Sequence, residues 1–255
     1  MPLADATIWD GWRDLVLILV RHGQTEANEQ GLLLGRADPP LTDTGYDQAR
    51  ALAAALPTGA RIVSSPLIRA RQTAAVLAAG SPGAGSGAVE VDQRWIEMDY
   101  GNLDCRPASA LDATSWKAWR ADPAFVPAGG ESLASVGERV REACEALAAD
   151  AAYRDVVVVS HVSPIKAAVA WAMGVGDEVA WRMFLSDAAV SRIDTSGPTP
   201  LLLTFNDACA AARIGAPVHP PGGVRARLPD QDGPDPETEP QERASHTPET
   251  EKTTR

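Results

Sequence analysis

The sequence predicts an α/β fold, a mainly parallel sheet flanked by helices in three layers. Three observations predict it. Two continuous apolar runs, residues 15–20 and 156–159, have the length and composition of strands buried on both faces, as parallel sheets require. After the first run, strand-like and helix-like patterns alternate, the signature of parallel strands joined by right-handed crossovers. The 255 residues, 45% of them hydrophobic, suffice for one sizeable core, and one domain with an appended tail fits them better than two domains.

Residues 1–14 read as a leader whose Trp9 and Trp12 cover a hydrophobic edge, and 15–214 as the domain. After the first strand, the Gly- and Pro-rich stretch 31–42 cannot be helical throughout. Thr44, with Asp47 three residues later, has the form of a capping box, and Ala49, Leu52, Ala53 and Leu56 then recur at helical spacing. Arg61-Ile62-Val63-Ser64 is the next strand. Ser65 as N-cap and Pro66 at the first helical position open a second helix, which stops before Gly80.

A Gly/Ser/Pro turn at 81–87 and a strand at 88–91 lead to Glu97. From 103 to 130 the pattern weakens, and Trp116 and Trp119, three apart, suggest a short helix in an excursion above the sheet. Val136, Val140, Ala143 and Leu147 form a helical stripe before the 156–159 strand; Ile165, Ala168, Val169 and Ala172 form another after it. Residues 188–193 and 200–205 close the sheet as an antiparallel edge ribbon. Eight of the twenty prolines fall in 215–255, an acidic segment poor in bulky apolar residues, so a disordered tail is the expectation there.

A net charge of −11 disfavours nucleic acid, which needs a basic stripe to neutralise its backbone. Cys105, Cys144 and Cys209 are far apart and without CxxC spacing, which argues against a disulfide framework or a zinc site and for a reducing compartment. The acidic amino terminus and an apolar run of only six residues do not make a signal peptide, and no stretch has transmembrane length. A soluble, cytoplasmic protein acting without metal, cofactor, nucleic acid or membrane is the expectation.

Arg21-His22-Gly23-Gln24-Thr25 follows the first strand, placing an imidazole and a guanidinium at a strand's carboxyl end, where open α/β sheets hold ligands. The ring can attack phosphorus, and the planar guanidinium holds anionic oxygens by paired hydrogen bonds. Arg69 lies at the start of a helix in Arg69-Ala70-Arg71-Gln72-Thr73. Glu97 lies in Glu97-Met98-Asp99-Tyr100-Gly101, and His161 follows the 156–159 strand. Neighbouring arginines favour the neutral imidazole at His22. Glu97 and Asp99 share a face of an extended segment, so alternation leaves both open as proton donor.

In these four motifs and their order, over roughly residues 15 to 205, the chain resembles the histidine phosphatase superfamily, also called the phosphoglycerate mutase-like family. The resemblance implies a phosphoglycerate mutase-like fold and hydrolysis of a small-molecule phosphomonoester through a phosphohistidine at His22. It implies Arg21, Arg69 and His161 around the phosphoryl group and favours Glu97 over Asp99 as the acid. Gln24, Thr25 and Asn28 are expected to line the phosphate loop, with Asn28 the foremost side-chain donor. Where the family has glycine after the second histidine this chain has Val162, whose backbone N–H is expected to contact phosphate. The excursion at 103–130 is short, with Arg106, Lys117 and Arg120 as its cations, which favours a phosphatase over a mutase. A non-catalytic phosphoprotein-binding module is the alternative from a different class; all four central residues being present counts against it.

Overall fold

Six strands form one sheet in the order β3-β2-β4-β1-β5-β6 in a computed structural model that describes residues 16–80, 89–151 and 153–212. The strands are β1 (Val16–Arg21), β2 (Arg61–Ser64), β3 (Glu90–Val91), β4 (Val156–Ser160), β5 (Val190–Asp194) and β6 (Leu201–Asp207). The first four run parallel, and β5 and β6 are antiparallel, so the sheet is mixed with an antiparallel edge. The leader, the 81–87 turn and the 215–255 tail lie outside the described residues.

Alternating side chains of β1 enter two cores, which is why its sequence reads as an unbroken apolar run. Leu17 and Leu19 pack with Val156, Val158 and Ile193 against α5 (Leu133–Ala151) and α6 (Val162–Met173). Val16, Ile18 and Val20 pack on the opposite face with Val157 and Val159, against α2 (Asp43–Ala53) and α3 (Ile68–Gly80). The predicted stripe Val136, Val140, Ala143 and Leu147 is buried on α5, and Ile165, Ala168, Val169 and Ala172 are buried on α6. At about 1.5–3 kcal/mol for each large apolar side chain fully buried, this sandwiching makes β1 a principal source of stability. Three shorter α-helices, α1 (Glu26–Glu29), α4 (Ala113–Ala121) and α7 (Cys209–Ala212), are found besides these among the described residues. Trp116 and Trp119 lie on α4, and no helix is long and apolar enough to cross a membrane among the described residues.

Two helix starts differ from expectation. The N-cap of α2 is Thr42, not Thr44: its hydroxyl accepts from the Gly45 N–H at 3.1 Å. Thr42 prevails because its own N–H also donates to the Gln24 carbonyl at 3.0 Å, tying the helix to the loop after β1. Helix α3 begins at Ile68, two residues beyond Pro66; the backbone N–H that the Ser65 hydroxyl accepts from is that of Leu67, in the preceding turn. The strand expected at 88–91 is confined to Glu90–Val91.

Register fixes the level of the strand ends. Arg21 is opposite Ser160, and Ser64 is opposite Val159, so β1, β2 and β4 finish side by side. The residues that follow, His22, Ser65 and His161, therefore meet at one edge of the sheet. Helix α2 approaches this edge so closely that a Cβ on Gly45 would lie 2.2 Å from the Gln24 carbonyl oxygen, and one on Gly23 2.4 Å from that of Gly45.

Gly45→Ala would raise helix propensity by about 1 kcal/mol at an unconstrained site. Here the steric conflict is with backbone, and overpacking costs about 1–3 kcal/mol, so net destabilisation is expected. Urea unfolding should show a lowered midpoint; an unchanged or raised one would mean that the Gln24 loop simply moves aside.

Candidate functional site

Arg69 joins the two histidines. Its side chain is fully buried, and its Nε–H points between His22 Nε2 at 3.3 Å and His161 Nδ1 at 3.2 Å. The imidazole rings lie 5.0 Å apart between centroids, tilted by 58°. The terminal nitrogens are held by backbone: Nη1 donates to the Ala37 carbonyl at 2.7 Å and Nη2 to that of Gly35 at 2.8 Å. Asp104 supports this loop from behind, accepting the N–H groups of Gly35 and Ala37, each at 2.7 Å. Asp38 pairs with it at 3.7 Å and is much more exposed, so the close hydrogen bonds of the guanidinium go to backbone dipoles.

These contacts assign both tautomers. An arginine N–H can only donate, so the ring atoms facing it carry lone pairs. At His22 the proton is then on Nδ1, which donates to the Gly23 carbonyl at 2.7 Å and leaves the Nε2 lone pair available. At His161 it is on Nε2, which donates to the Ser65 hydroxyl at 2.6 Å. Burial pushes both imidazoles well below the usual 6.5, and the charges of Arg69 and Arg21 push in the same direction. Both rings are neutral at physiological pH.

Arg21 lies at the end of β1 on the other side of His22. It is fixed by an ion pair to Asp187 at 2.8 Å and by Nη1 donating to the Leu185 carbonyl at 2.7 Å, while its buried Nε has no protein partner. The His22 loop is also tied down: the Gly23 N–H donates to the Thr73 hydroxyl at 3.1 Å, and that hydroxyl donates to the Arg69 carbonyl one turn back on α3. The buried Gln48 accepts the Gln24 N–H at 2.9 Å. Asn28, expected as a phosphate donor, has its carbonyl oxygen in the capping box of α1 with Thr25, which leaves only its amide NH₂ to donate elsewhere. Arg71 is exposed.

Glu97 is buried against the N-terminus of α6. Its carboxylate accepts from the N–H groups of Val162 at 3.0 Å, Ser163 at 3.2 Å and Met98 at 2.7 Å. The Val162 N–H, expected to contact phosphate, donates to Glu97 in this structure. The reason is electrostatic, since the first N–H groups of a helix attract the nearest anion and the Glu97 carboxylate is already there. Asp99 accepts the Gly101 N–H at 2.8 Å. The sequence therefore leads to His22, His161, Arg21, Arg69 and Glu97, but Asp104, Asp187, Ser65, Thr73 and Gln48 escaped it. Gln48 and Thr73 had left a signal, being polar residues on the buried stripes of α2 and α3. No cluster of three His, Cys, Asp or Glu able to hold a metal occurs among the described residues.

Comparison with known proteins matches residues 17–208 to the model of the histidine phosphatase superfamily (branch 1). A protein of Mycobacterium tuberculosis named as bifunctional is 37% identical over 191 residues, covering 72% of this chain and 51% of that protein. The chain thus spans about half the length of this relative. An adenosylcobalamin/alpha-ribazole phosphatase of Salmonella typhi is 31% identical over 181 residues, covering 70% of this chain and 89% of that one. Among solved structures, a mycobacterial glucosyl-3-phosphoglycerate phosphatase with VO3 superposes with a TM-score of 0.65 at 29% identity, covering 75% of this chain and 99% of that one.

The lowered imidazole values predict a pH-dependent stability. Below 6.5 the unfolded chain protonates its histidines while the folded one keeps His22 and His161 neutral, so their contribution is complete above that value and lost as pH falls. Each can add a slope of at most about 1.4 kcal/mol per pH unit. Urea titrations between about pH 7 and about pH 5 should show His161→Gln losing stability less steeply than the parent. Equal slopes would mean that the buried His161 ring takes up a proton in the fold.

Proposed function

The chain belongs to the histidine phosphatase superfamily, branch 1, and from that premise we propose that it hydrolyses phosphomonoesters through a covalent phosphohistidine at His22. The observation that carries this reading is the neutral, buried His22, whose Nδ1–H is held by the Gly23 carbonyl and whose Nε2 lone pair faces the Arg69 Nε–H. A nucleophilic nitrogen is thereby oriented beside a fixed positive charge.

In the first step the Nε2 lone pair forms a bond to phosphorus as the ester P–O bond breaks. At 3.3 Å the contact from Arg69 is long, so its Nε–H can be shared with a phosphoryl oxygen as charge develops there. The unpartnered Nε–H of Arg21 is a second donor of the same kind. His161, neutral and bonded to Ser65, is the third group around the phosphoryl position. Glu97 is the group that passes a proton to the leaving oxygen. In the second step its carboxylate accepts a proton from the attacking water as the N–P bond breaks and phosphate departs. The activities named for the Salmonella and mycobacterial proteins are both phosphatase activities, which supports transfer to water rather than to a second acid.

His22→Ala should lose both p-nitrophenyl phosphate turnover and acid-labile phosphate labelling. Labelling that persists in this variant would place the nucleophile elsewhere, and isomerisation of 3-phosphoglycerate without phosphate release would make the protein a mutase.

Glu97→Gln keeps the side chain's shape and removes its proton, so turnover of alkyl phosphates should fall by about 10²–10⁴-fold. Phosphorylation by p-nitrophenyl phosphate, whose leaving group needs no proton, should suffer much less in a rapid-quench measurement. If Asp99→Asn gives this leaving-group pattern instead, the proton donor is Asp99.

A further inference from the structure

One carboxylate outside the group around His22 touches both the segment that carries Glu97 and the loop that holds Arg69. It belongs to Glu131, just before α5. Arg139, on that helix, grips it with a forked pair of bonds: Nε donates to Oε1 at 2.9 Å and Nη2 to Oε2 at 3.1 Å. The same Oε2 accepts the Asp99 N–H at 3.3 Å and Arg36 Nη2 at 3.2 Å. The Glu131 N–H returns a bond to the Asp99 carbonyl at 2.8 Å. Arg139 has a further donor, Nη1, which goes to the Arg94 carbonyl at 2.6 Å. The pair therefore holds the chain at Arg94 and at Asp99, and Glu97 lies between them.

Exposed ion pairs contribute little to stability, but this one is partly buried, and what it holds matters more than its strength. Helix α5 is fixed by its buried stripe, so Arg139 projects from a rigid base. The Glu131 loop also approaches closely: a Cβ on Gly130 would lie 2.4 Å from the Asp99 carbonyl oxygen. On the arginine side Glu131 has help, because Asp104 independently holds the N–H groups of Gly35 and Ala37, which flank Arg36. On the acid side the Ser160 hydroxyl fixes the Trp95 carbonyl at 2.7 Å, whereas both backbone polar groups of Asp99 go to Glu131. Loss of Glu131 therefore bears mainly on the segment that carries Glu97.

We propose that Glu131, braced by Arg139, is a positioning residue for the proton donor, setting the 94–99 segment so that the Glu97 carboxylate stays on the first N–H groups of α6. The inference rests on the reading of this site as a phosphomonoesterase with Glu97 as its acid. Glu131 acts through the backbone of Asp99. Proton transfer needs hydrogen-bond reach, and a misplacement of about 1 Å can cost about 10²-fold in rate.

Glu131→Gln removes the charge and one acceptor oxygen at nearly constant shape. Its kcat for alkyl phosphates should fall about ten- to a hundredfold with KM little changed, while phosphorylation by p-nitrophenyl phosphate, which needs no proton, falls less than about threefold in a rapid quench. Arg139→Lys, which cannot form the fork, should give the same pattern and replaces the Gln variant should that fail to fold. Equal losses on both substrates, or no loss on alkyl phosphates, overturn the proposal. A second readout needs no turnover. The N–H groups of Val162 and Ser163 have no partner within α6, so their protection from hydrogen exchange comes from Glu97. In Glu131→Gln protein they should exchange at least about tenfold faster, with the β4 amides of Val157 and Val158 unchanged. A merely local role would loosen Asp99 and the start of α5 alone; Val162 and Ser163 amides that stay protected refute the proposal. If the parent hydrolyses no ester, the phosphatase reading fails, and the exchange rates alone decide whether Glu131 places Glu97.

Discussion

The buried guanidinium of Arg69 is the constraint on which the site depends. Its carbonyl partners, Gly35 and Ala37, belong to a loop that Asp104 holds in place, and its Nε–H sets the tautomers of both histidines. Burying a guanidinium is unfavourable, and burial does lower its proton affinity, with Glu97, Asp38 and Asp104 acting in the opposite direction. Satisfying it with backbone dipoles at close range keeps its hydrogen bonds made with its nearest carboxylate partner, Asp38, at 3.7 Å. In a chain of net charge −11, this places a buried positive charge at the strand ends, between two imidazoles.

The sheet was legible in the sequence because two cores require β1 and β4 to be apolar at successive positions. Its polar ends were legible for the same reason, since His22 and His161 are abrupt polar residues after buried strands. Helix starts were less so. Thr42 and Thr44 are both good caps, and the choice is made by the Gln24 carbonyl, a tertiary partner that local patterning does not contain. Asp104 and Asp187 were illegible because they act through distant chain segments: Asp104 reaches Gly35 across 69 residues. At Val162 the sequence pointed to a helix-start N–H, and in the structure that N–H donates to an internal carboxylate.

The excursion between β3 and α5 contributes to the site differently from the sheet. Residues on the sheet's edge are fixed by ladder register, whereas α4 is placed by the contacts of Trp116 and Trp119 with Trp181 and Tyr100. The imidazoles and the tryptophan cluster are thereby placed by separate parts of the chain. Substitutions in the tryptophan cluster can alter the placement of α4 without disturbing the strand ends that hold the imidazoles.

The central position of β1 also dictates an order of events at the ribosome. Its neighbours in the sheet are β4 and β5, and even its first residue, Val16, donates its N–H to Asp155, 139 residues further on. At synthesis rates of about 5–20 residues per second, roughly 10–30 s pass between the emergence of this strand and that of its partner. For that interval one of the most apolar segments of the chain has an unpaired backbone on both sides, the condition under which nascent chains associate with one another or with chaperones. The His22 loop is among the first parts of the domain to be made and among the last to be assembled.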